Sequence, residues 1–304
     1  MTNSFDIIEK KNIFLGNVAD NQRPRMAIFL SGSGSNAEKL LSSPEVVQAA
    51  EPVVLVTDAP EKSRASEIAA NHNLPVVEFS IREFYRNHGL KSISLATEAG
   101  RQARELWTAE LRQKLEKFAI DFIVLAGFEP LSNITNDYPC LNVHPGDLSV
   151  TDSRGTRLYV GLHSRPIEAA ILAGEKSLRA SVIIAQSFND ADKDVDNGLL
   201  LGISQSMPID FQGLTLEELK KIKANRPERK PVGGWKDELE ALAMRSQNEL
   251  KISGDHIILP LVVRDFAGKC FAWKDNKLYY RKDTAAEFKV LESNEYNPDG
   301  TRVL

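Results

Sequence analysis

Residues 26–36 read Met-Ala-Ile-Phe-Leu-Ser-Gly-Ser-Gly-Ser-Asn, and a helical pattern, AEKLL, follows at 37–41. Five apolar residues in a row, Met26 to Leu30, are the pattern of a strand buried on both faces, because a half-buried strand would alternate with polar residues. Two glycines among serines then turn the chain sharply into the helix. A strand, a glycine-rich turn and a helix make half of a β-α-β unit, and the pattern repeats along the chain. PVVLVTD (52–58), LPVVEF (74–79) and FAIDFIVLAGF (118–128) are further apolar runs, the last being the most apolar of all. Helical stretches lie near 63–72 and, as a long amphipathic pattern, over 95–118. CLNVHP (140–145), SVIIAQ (181–186) and LLLGISQSMPI (199–209) complete the strands. Strands alternating with helices predict an α/β class: a Rossmann-like, three-layer fold around a mostly parallel sheet.

In such sheets ligands bind outside the carboxyl ends of the strands. The segments at those ends are SGSGSN (31–36), TDAPEK (57–62), AGFEP (126–130) and NVHPGD (142–147), and the chemistry is expected there. From Phe211 the character changes. Residues 215–247 are highly charged and read as two helical pieces broken by Pro227, Pro231 and Gly233-Gly234. A helix around 256–266 follows, then a hairpin over 269–283 with Asp275-Asn276 at its turn. The expected organisation is an N-terminal extension over 1–23, a catalytic domain over 24–210, and a C-terminal extension over 211–304 that opens with a helical insertion, 211–254.

A chain of 304 residues can bury a full core without metal or disulfide staples. A net charge of −4 argues against a nucleic-acid binder, which needs a basic face to neutralise phosphates. Cys140 and Cys270 have no ligand spacing around them, so no metal is expected. The first 24 residues lack a basic segment followed by an apolar one, and no run approaches the roughly 18 apolar residues that span a bilayer. The expected setting is the cytoplasm, with no membrane partner; the oligomeric state is not legible.

Three motifs carry chemistry. Gly32, Ser33, Gly34, Ser35 and Asn36 let a backbone approach an anion at a helix start. The dinucleotide fingerprint is not met, since Ala37 stands where its third glycine would be, and no GK[ST] follows. Asn142 and His144 are two apart on a strand end and point the same way; an amide and an imidazole side by side can hold a carbonyl oxygen and move its proton. DKDVDNG (192–198) crowds Asp192, Asp194 and Asp196 together. It departs from a calcium loop, because Asn197 precedes the glycine and the twelfth-position glutamate is missing. A carboxylate that orients a histidine is the alternative use. His72 and His88 read as surface residues; His163 and His256 stay open.

The order of these motifs (SGSGSN after the first strand, LAGF after the apolar strand, LNVHP, then a V-D-x-G loop) resembles the folate-dependent formyltransferases. It is most similar to those that formylate glycinamide ribonucleotide. The resemblance covers about 25–209 and resumes near Asp255, where DHIILPLVVRDFAGK is similar to the family's final helix. It implies the catalytic set Asn142, His144 and Asp196, with His144 protonated and held so by Asp196. It implies 10-formyltetrahydrofolate as co-substrate, a donor pocket lined by Phe128, Leu131, Asp192 and Val195, and a small phosphorylated amine as acceptor. The acceptor would meet Gly32 to Asn36, Asp255 in place of the family's glutamate, and Arg101. Three departures touch substrate reading. The family's AGFMRIL is here AGFEPL, without the arginine. The segment from His144 to Gly161 is several residues longer. Residues 211–254 are inserted. Another amine, such as a sugar nucleotide, or a non-catalytic folate- or ribonucleotide-binding role are the alternatives.

Overall fold

The computed structural model describes residues 8–188 and 195–302, with Val195 described by its backbone alone. Asp192 and Asp194 lie outside the described residues, and so does the calcium-loop alternative built on them.

The strands are β1 (Arg25–Phe29), β2 (Glu51–Thr57), β3 (Val76–Glu78), β4 (Phe122–Leu125), β5 (Cys140–His144), β6 (Ser177–Leu178), β7 (Ser181–Ile184), β8 (Leu200–Ile203), β9 (Met207–Pro208), β10 (Phe271–Lys274), β11 (Lys277–Tyr280) and β12 (Lys289–Val290). The helices are α1 (Ser35–Ser42), α2 (Pro44–Ala49), α3 (Ala65–Asn71), α4 (Ile81–Asn87), α5 (Glu98–Leu115), α6 (Arg165–Ala173), α7 (Leu216–Ala224), α8 (Glu238–Leu250) and α9 (His256–Ala267).

Seven strands form the central sheet in the order β3-β2-β1-β4-β5-β7-β8. The first five are mutually parallel, and β7 runs antiparallel between β5 and β8. The mostly parallel α/β sheet predicted from the apolar runs is thus present. The chain winds outward from β1 to β3, then crosses back to β4 on the other side of β1. Strand order reverses between β1 and β4, which opens a crevice at their carboxyl ends, where ligands of such sheets bind.

Successive residues of the central strands enter opposite cores. Met26, Ile28, Phe122, Val124 and Leu141 face one apolar layer with α1 and α9. Ala27, Phe29, Ile123 and Cys140 face the other, under α4 and α5. Burial on both faces is why these strands show no polar alternation. Thr97 caps α5 by accepting from the Gly100 N–H at 3.1 Å. Ala103, Trp107, Leu111 and Leu115, each four residues after the last, make its buried stripe.

The run at 118–128 is only partly strand. Phe118 closes a 3₁₀ turn (Glu116–Phe118), and Ala119 turns the chain at φ 44°. Phe118 is apolar because it plugs the core beneath α5, not because it extends β4. The predicted hairpin is β10–β11, and Asp275 and Asn276 both take positive φ (51° and 59°), as a tight two-residue turn requires. α8 continues through a π turn (Lys251–Asp255) into α9, which packs on α1 and α2. The segment before β1 docks here too: Phe14 stacks on Phe266 at 5.6 Å, and Leu15 and Val18 enter the core. Among the described residues no helix is long and apolar enough to cross a membrane.

Candidate active site

A cavity of about 560 Å³ opens at the carboxyl ends of β1, β4 and β5. That volume suits a small-molecule ligand. Its wall brings together Gly32 to Asn36, Phe128, Leu131, Asn142, His144, Asp196 and Asp255, residues far apart in the sequence.

Asn142 and His144 alternate with Val143 on β5, so both side chains leave the strand on one side. His144 is buried at 3% exposure. Its Nε2–H donates to the Tyr159 carbonyl at 2.8 Å, and its Nδ1 lies 3.5 Å from Asp196 Oδ1. Gly146 makes the first contact feasible: a β-carbon there would sit 2.6 Å from the Tyr159 oxygen and 3.1 Å from Nε2. Asp196 lies in the 3₁₀ turn Val195–Asn197. Its Oδ2 accepts from the Gly161 N–H at 2.8 Å, and its carbonyl accepts from the Arg157 guanidinium.

Burial lowers the pKa of His144; the Asp196 carboxylate and the Tyr159 carbonyl oppose this, and the Arg157 cation adds to it. Desolvation thus works against the protonated ring that the sequence reading implies, while the Asp196 carboxylate beside Nδ1 and the Tyr159 carbonyl at Nε2 work for it.

The glycine turn forms one end of the cavity. Gly34 takes φ +68°, and a β-carbon on it would lie 2.3 Å from Ile68 Cδ1 and 2.8 Å from Leu30 Cδ1. Gly32 is the opposite case, with open space where its β-carbon would be. Asn36, in the first turn of α1, hydrogen-bonds the Asp255 side chain. Asp255 is buried, and desolvation pushes its carboxyl up to about 7 against the smaller pull of Asn36 and Lys251. One oxygen of each, Asn36 Oδ1 and Asp255 Oδ1, has no hydrogen-bond partner among the described residues. Buried acceptors left this way await a donor.

At the other end Phe128 packs edge-on against Phe29, centroids 5.1 Å apart. The segment carrying it is tied down twice. Ser31 donates to the buried Asp58 and accepts from the Glu129 N–H at 2.9 Å. Buried Arg104, on α5, donates to the carbonyls of Leu131 and Ile93. Glu129 pairs with Lys62 at 3.1 Å. Val195 has its backbone in the Asp196 turn, and Asp192 lies outside the described residues.

Arg101 is not brought to the glycine turn. It is on α5, on the opposite face of the sheet from α1, and pairs with Glu98 at 2.8 Å. The cations that line the cavity are Arg165, at the start of α6, and Lys251, in the π turn. Lys251 stands four residues before Asp255, a same-face helical spacing that was readable in the sequence. His163 also lines the cavity, at φ +58°. Tyr159 and Gly161 carried no such signal, since they act through backbone atoms.

The arrangement places an amide, an imidazole and a carboxylate on the wall of one cavity. One end offers backbone N–H groups, two cations and unmatched acceptors; the other is walled by Phe128 and Leu131. Such a site can hold two substrates end to end and move a group between them.

Residues 24–227 match the model of the formyl transferase family. The chain is 25% identical over 210 residues to the chloroplastic phosphoribosylglycinamide formyltransferase of Arabidopsis thaliana. That match takes in 68% of this chain and 62% of the relative, so the chain spans under two thirds of the relative's length. Among solved structures, glycinamide ribonucleotide transformylase 1 of Symbiobacterium toebii superposes at TM-score 0.53 with 18% identity, over 84% of this chain and 93% of that one. The formyltetrahydrofolate deformylase of Burkholderia mallei superposes at 0.50 with 14% identity, over 87% and 72%. At these identities the superpositions speak for the fold.

Proposed function

The chain belongs to the formyl transferase family, and from that premise we propose that it moves a formyl group from 10-formyltetrahydrofolate to a primary amine, with glycinamide ribonucleotide the acceptor. One observation carries the reading: Asn142, His144 and Asp196 share one cavity with the glycine turn and with Phe128 and Leu131. Residues 24–210 carry the reacting groups, and the extension 211–304 contributes Lys251 and Asp255 to the acceptor end.

The acceptor's phosphate lies against the N–H groups of Gly32 to Asn36, balanced by Lys251 and Arg165. Its hydroxyl groups satisfy the unmatched oxygens of Asn36 and Asp255. The folate ring system lies towards Phe128 and Leu131. The amine nitrogen attacks the formyl carbon, a C–N bond forms, and negative charge gathers on the formyl oxygen. The Asn142 amide donates to that oxygen. The amine's proton passes to the His144–Asp196 pair, whose imidazole is held by the Tyr159 carbonyl, and it returns to the folate nitrogen as the bond to that nitrogen breaks. Atoms and charge balance: the acceptor gains a formyl group, and the folate nitrogen gains a hydrogen.

The acceptor end favours amine transfer over hydrolysis, since water as acceptor would leave the glycine turn, both cations and the unmatched oxygens without use. The test is absorbance-followed turnover of 10-formyltetrahydrofolate with glycinamide ribonucleotide. Turnover is expected, and Asn142→Ala should lower it by about 10²–10³, the usual cost of one oxyanion donor. A His144→Ala protein that remained fully active would overturn the assignment. Formate release without amine formylation would replace transfer by hydrolysis.

A further inference from the structure

The longer segment between His144 and Gly161 has a structure of its own. Residues 150–158 fold back as a small hairpin, closed by a bridge between Thr151 and Arg157 and by the Leu158 N–H on the Val150 carbonyl at 3.0 Å. Asp152 organises its tip. Its Oδ1 accepts from the N–H groups of Arg154 (2.8 Å) and Thr156 (2.9 Å), which holds its carboxyl below its ordinary range. The hairpin and the residues that follow it deliver three features, on the alternate residues 157, 159 and 161, to the reacting pair. Arg157 reaches the Asp196 carbonyl, the Tyr159 carbonyl holds His144 Nε2, and the Gly161 N–H holds Asp196 Oδ2. The last two fix a side chain each. The first fixes the backbone of the turn from which Asp196 projects.

We propose that Arg157 is a positioning residue for the transfer reaction, holding the Val195–Asn197 turn so that the Asp196 carboxylate stays against His144. The proposal rests on the reading of His144 and Asp196 as the reacting pair. Arg157 touches no reacting atom and is absent from the cavity wall. Its guanidinium is half-buried against the turn, and burial lowers its pKa while Asp196 opposes that.

Two readings of Arg157 predict opposite signs. The charged groups that face the His144 ring are Asp196, from the 195–197 turn, and Arg157, from the hairpin; Asp196 raises the ring's pKa and Arg157, the smaller influence, lowers it. If Arg157 is only a nearby cation, removing it raises the midpoint at which His144 titrates. If it holds the turn, removing it frees Asp196, and the midpoint falls, as it does in Asp196→Ala.

The experiment is NMR titration of the His144 imidazole in the full chain. Five histidines make its signal assignable by comparison with His144→Ala. Arg157→Met should lower the midpoint in the direction of Asp196→Ala, and Arg157→Lys, which keeps a charged donor, should restore it. In the transfer assay Arg157→Met should lower kcat roughly ten- to a hundredfold, the cost of a misplaced reacting group. KM should stay within about twofold, because no binding contact is removed. A midpoint that rises or stays put in Arg157→Met overturns the proposal. So does an unchanged kcat. If the unaltered protein transfers no formyl group, the reading of its function fails, while the titration still decides whether Arg157 holds the turn.

Discussion

The Asp255 carboxyl sits in the turn between α8 and α9 with one oxygen unmatched among the described residues and its pKa pushed up to about 7 by burial. An unfolded chain ionises this group near 3.8. Between those values the folded chain keeps a proton that the unfolded chain has lost, so stability falls as pH rises from about 4 to 7 and stays low above. Asp255→Asn removes the titration. The variant should gain on the unaltered protein by on the order of 1–4 kcal/mol between pH 4 and pH 8, each pH unit in the interval between the two ionisations being worth about 1.4 kcal/mol, read from urea unfolding midpoints. A difference that stays constant with pH would refute this. The acceptor's KM should rise in the same variant, since the carboxylate is an acceptor for substrate hydroxyls in the proposed site. At this scale the sequence was informative where side chains do the chemistry. Asn142, His144 and Asp196 stood out by type and order. The groups that aim them did not, because Tyr159 and Gly161 act through a carbonyl and an N–H that every residue possesses. The burial of His144 was hidden for a related reason: Asp196, which favours the charged ring, is visible in the sequence, but the desolvation that opposes it is a property of the assembled site.

At the scale of elements the glycine turn shows two glycines retained for different reasons. A β-carbon on Gly34 would collide with Ile68 and Leu30, and the φ of +68° is one that side chains avoid. Gly34→Ala should therefore destabilise the protein by roughly 1–3 kcal/mol, with a lower Tm, through strain and overpacking. A methyl group on Gly32 meets nothing in the fold and projects into open space. Gly32→Ala should leave Tm within about a degree and raise KM for the phosphorylated acceptor several-fold, because the backbone there lies against the ligand. Equal effects of the two substitutions on Tm would contradict the division. The same scale shows why some elements were not foreseen. α2, α4 and α6 are six to nine residues long, too short for periodicity to separate them from loop. Strand direction was also beyond reach. β7 has the same unbroken apolar pattern as its parallel neighbours, because burial on both faces is what the pattern records, whichever way the strand runs.

At the scale of the whole molecule the segment after Phe211, read as a C-terminal extension, closes the apolar layer under α1. Leu239, Leu242 and Leu250 of α8 and Val262 and Phe266 of α9 lie in the same core as Met26 and Leu141. Charged residues fill the outer face of these helices and the linker between α7 and α8. One of them is an exception. Arg226, whose side chain is 5% exposed, donates to both oxygens of Glu168 at 2.7 Å and to both of Asp237 at 2.7 and 2.8 Å, and lies 4.8 Å from the Trp235 ring centroid. Glu168 is in the first turn of α6 and Asp237 caps α8, so one guanidinium joins α6, the end of α7 and the start of α8. Its removal leaves Glu168 with Lys223 at 2.7 Å and Asp237 with the Glu240 N–H at 2.8 Å, so the loss is that of charged hydrogen bonds rather than of a bare buried charge. Arg226→Ala should destabilise the protein by roughly 1.5–3 kcal/mol. Arg226→Lys should recover only part, since an ammonium cannot make two forked contacts at once. None of Glu168, Arg226 and Asp237 lines the cavity. Below the melting temperature kcat/KM should therefore stay near that of the unaltered protein while Tm falls. A variant that melts normally would show that the segment is held by its apolar contacts alone, and one that melts early with unchanged turnover would assign Arg226 to holding α6, α7 and α8 together.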